Sequence, residues 1–244
     1  MSLIRSDRHT DEDLRAWEVL EQYDQAMAWS PMMERRIESA RAHIAAFVEQ
    51  GPCYVGVSWG KDSVAVAHMA ASAGLPIVWM RWEPMSNPDC PLVRDAFLAR
   101  HPIDYHEVAS QWSYVDGEWK RREDLSDKGF ALARERFGPR YISGVRADES
   151  RARKLRSAAW GAATQNTCAP LDRWSNAEVF AYLARFDLPI HPAYAMSYGG
   201  ALARDQIRVD CIGGRTGRGK GRREWEWTYY RDEIIALELL EICR

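Results

Sequence analysis

Apolar positions recur with two different periods along this chain, and the change of period marks its organisation. Residues 11–29 and 32–49 carry apolar side chains at helical spacing, which predicts two amphipathic helices broken at Ser30-Pro31. Thr10 or Asp11 is placed to cap the first. Gly51-Pro52 then punctuates the chain. From Cys53 onward, short apolar runs alternate with longer mixed segments. The runs 53–58 (CYVGVS), 76–82 (PIVWMRW), 103–108 (IDYHEV) and 140–145 (RYISGV) read as strands. Residues 62–73, 89–100, 125–137 and 149–159 read as helices. This alternation predicts an α/β fold: a mostly parallel, twisted sheet with helices on both faces. In such sheets, ligands sit beyond the carboxyl ends of the strands.

After Pro170 the texture changes. Residues 176–185 read as a helix with Ser175 as N-cap, and 188–194 as a proline-broken connector. Residues 199–219, rich in Gly and Arg, are expected to form loops, and 222–241 a single long helix. The expected organisation is a helical extension over 1–50, a nucleotide-binding α/β domain over 51–195, and a basic lid with a C-terminal helix over 196–244.

Composition narrows the classes. The chain has 244 residues, 46% of them hydrophobic and 28% charged, enough for a packed core and too apolar for wholesale disorder. A net charge of -2 argues against a general nucleic-acid coat or a membrane-surface protein. No run approaches the roughly 20 apolar residues of a membrane helix. The polar start, Met1 to Asp13, has no signal-peptide pattern, so a cytoplasmic protein is expected. Five scattered cysteines without a CxxC fit a reducing compartment better than a disulfide scaffold. Two excesses stand out: 11 tryptophans, and 28 arginines against five lysines. Arginine forks suit phosphates and carboxylates, although base composition of the genome produces the same bias.

The main chemical signal is Ser58-Trp59-Gly60-Lys61-Asp62-Ser63, at the junction of an expected strand and helix. A helix N-terminus offers unpaired amides and a positive dipole end to phosphate. Gly60 permits close approach, Lys61 adds a charge, and Ser58 and Ser63 add hydroxyls. A Walker loop is excluded, because three residues separate Gly56 from Gly60 and Asp62 follows Lys61. An acid beside phosphates calls for a cation between them, which makes Asp62 the candidate Mg²⁺ ligand. The loop resembles the SGGKDS signature of the PP-loop ATP pyrophosphatases, with Trp59 in place of the usual glycine. That resemblance implies ATP as the nucleotide, with Mg²⁺, and cleavage between its α and β phosphates. It leaves Trp59 either narrowing the phosphate pocket or stacking on a ligand.

A second constellation, Gly144-Val145-Arg146-Ala147-Asp148-Glu149-Ser150-Arg151, follows the fourth strand. It resembles the GxRxxES element of the phosphoadenylyl-sulfate (PAPS) reductase-like branch of that superfamily. Arg146 at a strand's carboxyl end can fork onto phosphate or sulfate, and Glu149 can orient it or hold a cation. The pattern Pro170-Leu171-Asp172-Arg173-Trp174-Ser175, with His191-Pro192-Ala193-Tyr194, is similar to the same branch. Trp174 and His191 are read as structural. Together the resemblance covers about residues 50–215. It implies catalytic roles for Lys61, Asp62 and Arg146. It also implies nucleotide contacts from Ser58, Trp59, Gly60, Ser63, Gly144 and Glu149, and an adenine site lined by the backbone from Met80 to Trp82.

Departures from the branch shape the alternatives. The chain ends Leu240-Glu241-Ile242-Cys243-Arg244, without the Gly and His of the reductase tail. Cys243 would lie at a helix end, where the dipole opposes a thiolate. The stretch Arg208-Val209-Asp210-Cys211-Ile212-Gly213-Gly214 has a glycine where cluster-bearing relatives have a second cysteine, so no iron–sulfur cluster is expected. Cys211 and Cys168 are read as isolated small hydrophobes, with weak metal binding by the two as the lesser alternative. Residues 215–223 are basic, Trp225 and Trp227 follow, and 215–227 together are the candidate surface for a nucleic-acid or protein partner. The leading expectation is an ATP α-hydrolase or adenylyl-transferring enzyme. The rivals are a thioredoxin-dependent PAPS or APS reductase using Cys243, and a nucleotide-binding accessory subunit of a nucleic-acid modification or defence system. A homodimer is compatible with all three.

Overall fold

The structure, a computed structural model, describes residues 2–115, 118–121, 128–213 and 222–242. A short strand β1 (Ser2–Leu3) leads into helices α1 (Asp11–Ala28) and α2 (Pro31–Val48). Thr10 caps α1 in a reciprocal capping box with Asp13; Ser30 caps α2, with Pro31 in its first turn. Next come β2 (Tyr54–Val57), α3 (Lys61–Ala70), β3 (Ile77–Glu83), α4 (Cys90–Leu98), β4 (Tyr105–Val115) and β5 (Glu118–Arg121). Then follow α5 (Lys128–Phe137), β6 (Tyr141–Ser143), α6 (Arg151–Trp160), β7 (Thr167–Cys168), α7 (Asn176–Arg185) and β8 (Pro189–Ile190). The last described elements are α8 (Arg222–Tyr229) and α9 (Arg231–Ile242).

The main sheet runs β5-β4-β3-β2-β6-β7. Every pairing from β4 to β7 is parallel, and β5 folds back antiparallel on the far end of β4. The fold is therefore α/β, as the alternating pattern predicts. The chain winds from β2 to β3 and β4 on one side, then crosses to β6 and β7 on the other. The order reverses between β2 and β6, and at such a reversal the flanking loops part and leave a crevice. Gly56 on β2 pairs with Ser143 on β6, so the loops leaving both strands emerge side by side.

Three expectations change. The strand expected at 103–108 continues to Val115 and turns into β5. The helix expected at 149–159 starts as a 3-10 turn at Ala147–Glu149; Ser150, extended, then caps α6. The single long helix expected over 222–241 is two helices. They break at Tyr230, which is fully buried and donates its hydroxyl to Asp89 at 2.8 Å. Satisfying that buried phenol requires the chain to bend there. The connector at 188–194 also contributes β8, which pairs in parallel with β1.

One hydrophobic cluster draws on all three expected segments: Trp17 from the first, Val55 and Trp59 from the second, and Val209, Trp225 and Leu237 from the third. Trp225 is buried, with its indole N–H donated to the Met196 carbonyl at 2.6 Å. It is thus a core residue and not a stacking platform for a base. The most basic part of the expected lid, 214–221, lies outside the described residues, as does Cys243. Among the described residues, no helix is long and apolar enough to cross a membrane.

Candidate functional site

The chain leaves β2 at Val57 and enters α3 at Lys61, with Gly60 as an extended N-cap. The loop holds itself in shape. Ser63 donates its hydroxyl to the Gly60 carbonyl at 3.0 Å and accepts the Ser58 amide at 3.2 Å. Lys61 donates its amide to the Tyr194 hydroxyl at 3.2 Å. A Cβ on Gly60 would sit 3.0 Å from Val209 Cγ2 and 3.2 Å from the Tyr194 hydroxyl, so glycine is needed for room. Behind the loop, Cys90 donates its thiol to the carbonyls of Ser58 (3.5 Å) and Val209 (3.2 Å). Burial, with Asp210 and Asp89 nearby, pushes that thiol well above the usual range.

Trp59 turns away from the crevice. Its φ is 59°, a left-handed conformation costly for a bulky residue, and its side chain is fully buried. The indole packs against Trp79 (6.5 Å between ring centroids), Phe97 (5.7 Å) and Tyr105 (5.7 Å). Aromatic burial of this size offsets a strained backbone. The indole neither narrows the phosphate pocket nor stacks on a ligand; it nails the loop to the sheet.

The charged centre forms where the loops after β2 and β6 meet. Lys61 Nζ lies 2.6 Å from Asp62 Oδ2, and Arg146 Nε lies 2.6 Å from Asp62 Oδ1. Gly144 makes this possible: a Cβ there would fall 2.7 Å from the Asp62 carbonyl carbon. Arg146, 3% exposed, also donates from Nη1 to the Trp174 carbonyl at 3.2 Å. Its amide donates to Glu149 Oε2 at 3.1 Å. Glu149 in turn pairs with Arg153 and lies 3.9 Å from Arg208 Nη1. Lys61, 2% exposed, has a pKa below its usual value. Burial is the main cause, with Arg146 and Arg208 adding to it and Asp62 opposing.

Four cations, Lys61, Arg146, Arg153 and Arg208, thus share two carboxylates, Asp62 and Glu149. Such a crevice attracts polyanions. Both oxygens of Asp62, the expected Mg²⁺ ligand, face cations: Lys61 at Oδ2 and Arg146 at Oδ1.

Met80 and Trp82 lie on β3 beyond Trp79, the last residue it pairs with β2. The Trp82 amide donates to Ser86 Oγ at 2.7 Å, and its carbonyl accepts the Ser86 amide at 2.6 Å. Its backbone is engaged in that turn, and Met80 and Arg81 pair with Val108 and Ala109 of β4. Cys211 and Cys168 lie in different surroundings. Cys211 bridges to Ser86 and acts electrostatically on Cys90, whereas Cys168 lies beside Cys53. Buried, the Cys168 thiol is pushed up to about 12.

Sequence reasoning gave no role to Tyr194, Cys90 or Val209, which brace the loop, or to Arg208, which joins the charged centre. Tyr194 lies in the quoted HPAY stretch, so its signal was present without a partner to explain it. Arg208 and Val209 are brought in by a segment more than 140 residues away along the chain.

Neither a protein-family model nor a curated protein matches the sequence. Among solved structures, the chain is similar to phosphoadenylyl-sulfate (PAPS) reductase from Candida auris, solved as a phosphate complex. The TM-score is 0.48 and the identity 14%, over 78% of this chain and 92% of the other.

Proposed function

We propose that the crevice between β2 and β6 binds an adenine nucleotide and cleaves ATP between its α and β phosphates. The products are pyrophosphate and either AMP or an adenylated acceptor. The observation that carries this reading is the meeting of Lys61, Asp62 and Arg146 at the sheet's switch point. The Ser58–Ser63 loop and the start of α3 hold phosphates. Lys61 and Arg146 stabilise the charge that develops as the α–β bond breaks. Asp62 keeps both cations in place before the nucleotide arrives. Any Mg²⁺ enters as part of the nucleotide, held by phosphate oxygens, and no step rests on a protein-bound metal.

Incubation with Mg²⁺ and labelled ATP tests the reading. AMP and pyrophosphate, abolished by Lys61→Ala, support it; ADP overturns it. A parallel reaction with PAPS and reduced thioredoxin addresses the reductase alternative. Sulfite release lost in Cys243→Ser would replace the hydrolase reading with that one. Cys53, Cys90 and Cys168 are buried with raised thiol pKa values, so none of the three suits a nucleophile.

A further inference from the structure

A second hollow lies outside the crevice. It runs between α2 and the segment that follows β7, in two adjoining cavities of about 420 Å³ and 330 Å³. Volumes of this order hold small molecules. Arg36, Asp172, Arg173 and Trp174 line both cavities, with His43 at one end and Met32 at the other. Gly161 and Ala162, small residues, keep the larger cavity open.

The charges in this hollow are unequally engaged. Glu178 accepts from Arg36 Nε at 2.8 Å and from the Ser175 amide at 2.5 Å. Asp172, buried, accepts the Ser157 hydroxyl. Asp148 pairs with Lys154 at 3.1 Å. Arg173 differs: it is exposed and makes no ion pair or hydrogen bond with a described residue. Its neighbours Asp172 and Trp174 are both buried, so its backbone is pinned while its guanidinium faces the hollow. An unengaged guanidinium at the mouth of a cavity can fork onto an oxyanion.

The floor is also structural for the crevice. The Asp172 carbonyl accepts the Ala147 amide at 2.8 Å, and the Trp174 carbonyl accepts from Arg146 Nη1. We propose that this hollow is a second anion site, distinct from the phosphate loop. It takes a small phosphate- or carboxylate-bearing molecule on Arg173 and stiffens the Asp172–Trp174 segment that holds Arg146. The site stands on its own geometry and does not depend on the activity assigned to the loop.

Calorimetric titration of the full chain with inorganic pyrophosphate, in the absence of nucleotide, tests the site. The expected result is two sites in the wild type, one in Lys61→Ala and one in Arg173→Ala. Removing the guanidinium weakens the second site at least about tenfold, and Arg173→Lys falls between. Circular dichroism confirms that the Arg173 variants fold. A single wild-type site, lost in Lys61→Ala and kept in Arg173→Ala, overturns the proposal. Binding lost only in Arg173→Ala upholds it and removes support for the loop as a phosphate site. In the Lys61→Ala background, pyrophosphate is expected to slow hydrogen exchange at the Ala147 amide. Unchanged exchange there overturns the link to Arg146.

Discussion

Two regions of this molecule bury ion pairs, and they use them differently. Where α1 and the N-terminal segment meet the C-terminal segment, carboxylates are at least as many as cations, and each is held by protein donors. Arg204 forks onto Asp24 at 2.6 and 2.5 Å and lies 3.8 Å over the Phe180 ring. Asp13 accepts the amides of Ser197 (3.0 Å) and Gly199 (2.9 Å) together with the Tyr229 hydroxyl. Arg8 joins Asp89 and Glu233. At the crevice, by contrast, four cations share two carboxylates. Carboxylates held by protein donors close a structure; cations clustered at the mouth of a crevice attract an anionic ligand. Burial alone does not separate the two regions, since Lys61 and Asp24 are equally hidden.

The largest expected effect breaks the α1 side. Arg204→Ala strands the Asp24 carboxylate, already held above its usual pKa by burial, and should cost ~3–5 kcal/mol of stability. Denaturant unfolding measures this, and nucleotide affinity per folded molecule should not change. On the crevice side the pattern reverses. Lys61→Ala or Arg146→Ala should lower turnover by about 10²–10³. Lys61→Ala should leave the unfolding midpoint almost unchanged, because it also removes a buried charge. A large loss of stability there would mean that the crevice charges are structural as well.

Trp59→Ala tests the loop's anchor. Removing a buried indole costs ~3–5 kcal/mol, and alanine keeps the Cβ that makes a φ of 59° costly. Trp59→Gly removes that strain and should recover about 1 kcal/mol relative to alanine, read as a shift between the two unfolding midpoints. Equal stability of the two would remove the strain from the account.

The smallest effect concerns pH. His68, held by Tyr182 at 2.7 Å, has its pKa lowered to about 4, chiefly by burial and also by His101. Its neutral form is the folded one. Its contribution is therefore complete above pH 6.5 and is lost as the pH falls from 6.5 towards 4. Melting temperature should decline over that window, and His68→Phe should flatten the decline. His191, also buried and lowered to about 3, acts in the same direction and extends the window downward.

The sheet and its helices were legible because periodicity is local. The strands at 53–58, 76–82 and 140–145, and the capped helices α1, α2 and α7, lie where the pattern places them, within a few residues. The loop from Ser58 to Ser63 was legible for the same reason: a glycine, a lysine and an acid at a strand-to-helix junction form a contiguous signal. The break at Tyr230 was not, because it depends on Asp89, a partner remote in sequence. Nor was the direction of Trp59. A tryptophan in a glycine's place reads as a ligand contact until the aromatic residues of β3, β4 and α4 are known to surround it.

By itself, then, the sequence determined the alternation of elements, the caps that start the helices and the residue types that gather at the loop. These follow from backbone propensity and the spacing of apolar positions. Only the tertiary structure decided which charges are spent. Asp62 faces Lys61 and Arg146, Arg208 reaches Glu149, and Arg173 is left unengaged, because strand order and chain crossing set these distances. Electrostatic energy depends on separation in space and on burial, and neither is written in the order of residues along the chain.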